Sequence, residues 1–213
     1  IMACFVLGMS TRKVSTALLS LLGERVSAST VSEVAKKLDY AVRRYHERKL
    51  EDGYRFLFFD GVVLKQKGAA KVQKKVILCA YGITWEGKKE MIDFLLAASE
   101  SQNAWEGFLR DLHERGSEGE RCEMITTDGG NGLRNALEVV YPRIPRQHCW
   151  AHKTRNVLDK VKKADQKKVK KDLTRISHAK NRQAATQAYW TFCQKYRKAY
   201  PGAVKSLESE IDD

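Results

Sequence analysis

Two aspartates stand where chemistry is possible. The run Tyr54–Phe59 (YRFLFF) is aromatic-rich and β-prone, and it ends in Asp60-Gly61. A second β-prone run, Cys122–Thr127, ends in Asp128. Gly129-Gly130 follows, and then a helical pattern (Leu133, Ala136, Leu137, Val140) that stops before Pro142. A carboxylate at the end of a strand, on a glycine turn, is exposed while the strand holds it rigid. If the two strands are neighbours in one sheet, the carboxylates converge. Two close carboxylates repel, and one takes up a proton unless a cation sits between them. Oxygen-only ligands favour a hard ion, Mg²⁺ or Mn²⁺. Such a pair suits phosphodiester chemistry with two metal ions, one generating the nucleophile and the other stabilising the leaving oxygen. Read alone, Asp128 is better explained as a turn or capping residue.

The elements that must position these residues follow from periodicity. Tyr54–Asp60 is the first strand and Val72–Thr84 the second, with the basic stretch Lys65–Lys71 between them. A turn at Glu86-Gly87 leads to a third strand through Met91–Leu96. Asn103–Arg115 reads as an amphipathic helix with Trp105, Phe108, Leu109 and Leu112 inward. The strand to Thr127, the helix Asn131–Tyr141 and a short strand near Ile144–His148 complete the order β-β-β-α-β-α-β. A three-strand meander followed by alternating helices and strands gives a mixed α/β sheet. This is the strand order of a ribonuclease-H-like domain, where the first and fourth strands lie side by side and would bring Asp60 next to Asp128.

Both flanks read as helical. Before the sheet, Thr11–Leu22 and a second helix from Ser27–Ser29 surround a glycine at Gly23. The second helix carries Val31, Val34, Ala35 and Leu38 on its apolar face and can run on through Tyr40–Leu50. The pair fits a helix-turn-helix, with Arg12, Ser29, Thr30 and Ser32 able to reach phosphates and base edges. It fits an ordinary αα-hairpin as well. After the sheet, the lysine-dense Lys160–Lys171 and the stretch Ala184–Tyr196 are predicted helices. The second of these has Ala185, Ala188, Tyr189, Phe192 and Tyr196 inward, and Pro201-Gly202 closes it before a last helix from Ala203. The domains expected are therefore 1–50, helical and DNA-binding; 51–155, the catalytic core; and 156–213, a basic helical insertion.

The charge distribution agrees with a polyanion partner. The 213-residue chain carries a net charge of +13. Residues 1–50 hold nine cations against four anions, residues 51–150 fourteen against fifteen, and residues 151–213 sixteen against seven. A near-neutral, carboxylate-bearing middle between two basic flanks suits an active site held against nucleic acid, with Lys153, Arg155, Lys162 and Lys163 as candidate backbone contacts. A solvated basic surface without a specific partner is the alternative. The five cysteines are scattered and form no CxxC, as expected of reduced thiols in a cytosolic protein. No apolar run approaches the roughly 20 residues that span a bilayer. The chain starts with Ile and stops in mid-pattern, so it reads as a piece of a longer protein.

With these residues in view the chain resembles the bacterial Mutator-like transposases of the DDE type. The stretches that carry the likeness are GMSTRKV (8–14), SASTVS (27–32), FDGVVLK (59–65), GITWEGKKEMIDF (82–94), ESQNAW (100–105), FLRDLHERG (108–116), TDGGNGLRNAL (127–137), QHCWAHKTRNVL (147–158) and YPGAVKSLESEIDD (200–213). The resemblance implies a ribonuclease-H-like core interrupted by a helical insertion, with Asp60 and Asp128 as the first two catalytic carboxylates, both holding Mg²⁺. It implies hydrolysis at the ends of an insertion sequence, then attack of the freed 3′-hydroxyl on target DNA. It also implies a homo-oligomer acting on paired ends, and a bacterial cytoplasmic, nucleoid-associated protein. The family's third carboxylate belongs to a Thr-Thr-Asn-x-x-Glu motif that these residues do not contain. That glutamate is expected past Asp213, and the 213 residues alone are expected to be a poor catalyst. Cys149-x-x-His152 also matches a family motif. Cys and His are zinc ligands, but a structural zinc takes four, and only His148 offers a third here. The pair is read as lying beside the active site, with His152 near substrate phosphate or the carboxylates. Trp105 and Trp150 are read as core, with stacking on an unpaired base as the alternative.

Overall fold

The computed structural model describes residues 19, 27–67 and 72–208. Contacts divide the chain into two units, Ile1–Leu50 and Glu51–Asp213. In the first, a 20-residue helix α1 (Ala28–Glu47) is capped by Ser27, whose hydroxyl accepts from the Thr30 N–H at 3.1 Å. Capping of this kind stabilises a helix start by about 1 kcal/mol. Ser29, Thr30 and Ser32 are exposed at its first turns. Arg12 and the expected helix Thr11–Leu22 lie outside the described residues.

The second unit is built on one sheet. Its strands are β1 (Tyr54–Lys67), β2 (Val72–Thr84), β3 (Lys89–Ala97), β4 (Met124–Thr127) and β5 (Arg146–His148), in the spatial order β3-β2-β1-β4-β5. β1 to β3 form an antiparallel meander, while β4 runs parallel to β1 and β5 parallel to β4. Helices α2 (Gln102–Glu114) and α3 (Asn131–Val140) connect the strands. This is the expected ribonuclease-H-like order, including the side-by-side first and fourth strands. The parallel register pairs Phe59 with Thr127, so Asp60 and Asp128 are the next residues on adjacent strands.

One sheet expectation is corrected. β1 does not end at Asp60 but continues to Lys67. The reason lies in its two edges: β2 pairs with it all the way to Lys67, while four-residue β4 stops pairing at Phe59. Asp60 is therefore an interior strand residue at the place where the parallel neighbour gives out.

The core is on the face that α2 and α3 cover. Leu57, Phe59, Leu78, Ala80 and Ile92 of the sheet meet Trp105, Phe108, Leu109 and Leu112 of α2 and Leu133, Ala136 and Leu137 of α3, all buried. The α2 positions are the four that helical spacing predicts. Asp93 is buried there too and forms an ion pair with Arg115, tying β3 to the C-terminal end of α2. Side chains alternate along a strand, so Asp60 shares the opposite face with Val62 and Leu64. Register carries that face across to Tyr81 on β2 and to Met91 and Leu96 on β3, all exposed among the described residues.

Among the described residues four helices follow the sheet: α4 (Trp150–Leu158), α5 (Lys163–Ser177), α6 (Arg182–Tyr196) and α7 (Pro201–Glu208). They share a second core that includes Val157, Val169, Leu173, Phe192, Tyr196 and Leu207. The chain is still helical at residue 155, so a boundary at 155/156 falls inside α4. The lysine-dense stretch expected as one helix from Lys160 begins instead at Lys163, because α4 ends at Leu158 and a turn intervenes. Pro201 opens α7 rather than closing the region, which its missing N–H permits at a first helical position.

Candidate active site

β1 and β4 place Asp60 and Asp128 on strands that stand about 4.8 Å apart. The two are held differently. Asp60 is fixed by the ladder with β2, opposite Cys79, and its side chain is 40% exposed. Asp128 sits on the turn that starts α3, where the Gly130 N–H donates to its Oδ1 at 3.0 Å and the Gly129 N–H donates to Thr127 Oγ1 at 3.2 Å. Gly129 has φ +83°, which a side chain rarely adopts, and a Cβ there would lie 1.8 Å from the His148 ring. The turn therefore needs glycine for its backbone and for the imidazole above it.

β5 and α4 supply the other polar side chains at this place. Cys149 donates its backbone N–H to the Thr127 carbonyl at 2.7 Å and is the residue from which α4 starts. One turn on, His152 projects back so that its Nε2 is 3.9 Å from Asp60 Oδ1. Nδ1 of His152 is buried and has no hydrogen-bond partner among the described residues. Asp60, Asp128, Cys149 and His152 all line one cavity of about 320 Å³, with Phe58, Tyr81, Lys89 and Thr126. Its floor is the exposed face of the sheet. Asp60 also acts on the sheet beside it. Burial, then the neighbouring Cys79 thiol and Asp60, push the Tyr81 hydroxyl up from its usual range.

Sequence reasoning missed one residue. Glu100, directly before Ser101 (the N-cap of α2), lies close enough to both aspartates to feel them: burial first, then Asp128 and Asp60, raise its carboxyl above the usual range. The sequence offers a local explanation of Glu100-Ser101 as a helix start, and that explanation hides the carboxylate. Its backbone is held by the first turn of α3. A Cβ on Gly132 would come 2.4 Å from the Glu100 carbonyl oxygen and 3.0 Å from the Gln102 nitrogen. In an open helix Gly→Ala stabilises by roughly 1 kcal/mol. Here the neighbours are backbone and cannot rotate away, so Gly132→Ala is expected to destabilise by about 1–3 kcal/mol, the usual cost of overpacking. Urea unfolding followed by circular dichroism checks the sign.

The candidate DNA contacts divide. Arg155, Lys162 and Lys163 are exposed, as are Lys167, Lys168, Lys170 and Lys171 farther along α5. Lys153 is corrected: it is 5% exposed, and its ammonium donates to the Ser206 carbonyl at 2.8 Å. α7 covers it, so it ties α4 to α7 and is not presented to a phosphate. Of the tryptophans, Trp105 is buried and Trp150 is packed against the helical core, while Trp190 is 55% exposed.

The donor set around Asp60 and Asp128 is oxygen-rich and suits a hard divalent ion. Among the described residues no three His, Cys, Asp or Glu side chains converge closely enough to hold an ion as they stand. Among the described residues, too, no helix is long and apolar enough to cross a membrane.

The profile described as Transposase, Mutator family, matches residues 1–213. The chain belongs to the Mutator family of transposases. Its sequence is 32% identical over 202 residues to the transposase for insertion sequence element IS905 of Lactococcus lactis, covering 95% of this chain and 51% of that protein. It is 42% identical over 134 residues to the transposase for insertion sequence element IST2 of Acidithiobacillus ferrooxidans, covering 63% of this chain and 45% of that protein. The chain thus spans about half the length of these relatives. Among solved structures it is similar to the HTLV-2 integrase catalytic core domain in complex with magnesium, at 15% identity over 63% of this chain and 82% of that one, with a TM-score of 0.25. At that score the fold assignment rests on the strand order described above.

Proposed function

We propose that this member of the Mutator family carries the catalytic centre of an insertion-sequence transposase, with Asp60 and Asp128 as metal-holding carboxylates. The observation that carries the reading is the parallel pairing of β1 with β4, which puts one aspartate from each strand at the same level. Divalent Mg²⁺ or Mn²⁺ at such a pair supplies an activated water or 3′-hydroxyl and stabilises the leaving oxygen of a phosphodiester.

The chain's own residues position the chemistry. The ladder to β2 keeps Asp60 from moving as DNA arrives, and the Gly130 N–H fixes one oxygen of Asp128. His152, whose Nε2 faces Asp60, can donate a hydrogen bond to a phosphate oxygen entering the cavity. The sheet face that is exposed among the described residues leaves room for a duplex end. The exposed Arg155, Lys162 and Lys163 supply charge for the DNA backbone, and α1 with Ser29, Thr30 and Ser32 belongs to a DNA-binding segment that includes Arg12. In this reading residues 51–155 are the catalytic core and the following helices an insertion, and the substrates are the terminal repeats of the element and its target DNA. The active form is a homo-oligomer that holds two ends together.

The test is a joining assay on the complete protein with pre-cut terminal DNA and a plasmid target. Divalent-dependent joined products are expected. Cleavage without any joining would identify a nuclease instead. Salt-sensitive binding with neither cutting nor joining would identify a DNA-binding protein.

A further inference from the structure

Resting on the reading of Asp60 and Asp128 as metal-holding residues, we propose that Glu100 is a third carboxylate of the same centre, and that Gly61 is glycine to make room for it. This glutamate is distinct from the one that the family resemblance places in a Thr-Thr-Asn-x-x-Glu motif. It lies on the segment between β3 and α2, on the other side of β1 from the cavity.

Three observations converge on it. The first is steric. A Cβ on Gly61 would lie 2.4 Å from the Glu100 Cδ and 2.6 and 2.7 Å from its two oxygens, so the carboxylate lies directly against the backbone of the residue that follows Asp60. The second is the anchoring of its backbone. The Glu100 carbonyl is pressed against Gly132, in the first turn of the helix that Asp128 introduces. The glycine after Asp60 and a glycine in the first turn of α3 thus accommodate different parts of the same glutamate: Gly61 its side chain, Gly132 its main chain. The third is the lack of compensation. Glu100 is half-buried, and among the described residues its carboxylate has neither an ion pair nor a hydrogen bond. Two other acids of the sheet region have a donor: Asp93 has Arg115, and Asp128 has the Gly130 N–H.

A half-buried carboxylate against the residue that follows Asp60, with no cation beside it among the described residues, is costly as it stands. A divalent ion at the centre offsets all three charges at once. Position explains how Glu100 reaches it. Beyond Phe59 β4 no longer pairs with β1, so that edge is open for the Glu100 side chain to turn from the helix-covered side toward the aspartates when an ion binds.

The experiment is Mn²⁺ binding to the 213-residue chain, read from the electron paramagnetic resonance signal of the free ion, with circular dichroism to verify folding. Glu100→Gln keeps the shape and removes the charge. Gly61→Ala keeps the glutamate and displaces its carboxylate, which is the flexible end of a side chain and can yield. Each is expected to weaken Mn²⁺ affinity about tenfold or more, the scale of losing a supporting ligand group. Without metal, Glu100→Gln is expected to melt at or above the parent temperature, because it relieves repulsion; a residue that only shaped the loop would not give weaker Mn²⁺ binding together with a higher melting temperature. If both variants bind Mn²⁺ as the parent does while Asp60→Asn and Asp128→Asn bind it more weakly, Glu100 is not part of the centre and the two-aspartate reading stands. If the two aspartate variants also bind as the parent does, the metal reading itself fails, and this inference with it.

Discussion

Asp60→Asn or Asp128→Asn in the complete protein is expected to lower divalent-dependent cleavage of terminal DNA by on the order of a hundredfold to a thousandfold, the scale of removing one preorganised electrostatic group from a reaction centre. Asparagine is nearly isosteric with aspartate, so packing changes little. Asp60 stays in the ladder with β2, and the Gly130 N–H still finds an oxygen at position 128. What disappears is one negative charge from the ligand set, and with it a share of the field that holds a divalent ion. DNA binding rests on the exposed lysines and arginines of the flanking segments, and it should persist or tighten slightly as an acid is removed. The measurement is a cleavage time course at saturating Mg²⁺ beside a binding curve. Cutting that stays within a few-fold of the parent in both variants would remove these residues from the mechanism.

Trp105→Ala is expected to cost about 3–5 kcal/mol of folding stability, the range for deleting a large aromatic from a core. Trp105 is 1% exposed. Its ring meets Phe59 edge-on with centroids 6.5 Å apart and Phe108 at 6.2 Å. Phe59 is also stacked on Tyr141 at 6.4 Å. These contacts fasten α2 to the strand residue immediately before Asp60, so the cavity left by alanine opens under the site itself. A domain's whole stability is about 5–15 kcal/mol, so the loss is a large fraction of it. Denaturant unfolding followed by circular dichroism measures it, with Trp105→Phe expected to recover a good part. A loss below about 1 kcal/mol would mean that α2 is not the lid of this core.

Both predictions combine residues that the sequence displays with neighbours that it does not. The order β-β-β-α-β-α-β, the inward face of α2 and the turn at Asp128 were all legible, because alternation, 3.6-residue spacing and Gly-Gly punctuation act over short stretches. The juxtaposition of Asp60 and Asp128 was legible one step further on, because that order of elements resembles a ribonuclease-H-like domain, whose first and fourth strands are neighbours. The end of β1 was misread because Asp-Gly looks like a stop. A strand ends where its partners end, however, and β2 continues to pair through Lys67.

Lysine identity likewise says nothing of burial. Lys153 looks like its exposed neighbours in a basic stretch, yet α7 closes over it and gives its ammonium a carbonyl. Glu100 lies forty residues from Asp60 and twenty-eight from Asp128 along the chain, and nothing in its local pattern announces a meeting. Sequence by itself determined the elements, their order, the two strand-borne aspartates and the membership of a family. Only the tertiary structure decided which lysine is buried, where the first strand continues, and that a third carboxylate lies against the glycine after Asp60. The physical reason is range: propensity and periodicity are properties of neighbours in the chain, whereas burial, electrostatic coupling and close approach are properties of neighbours in space.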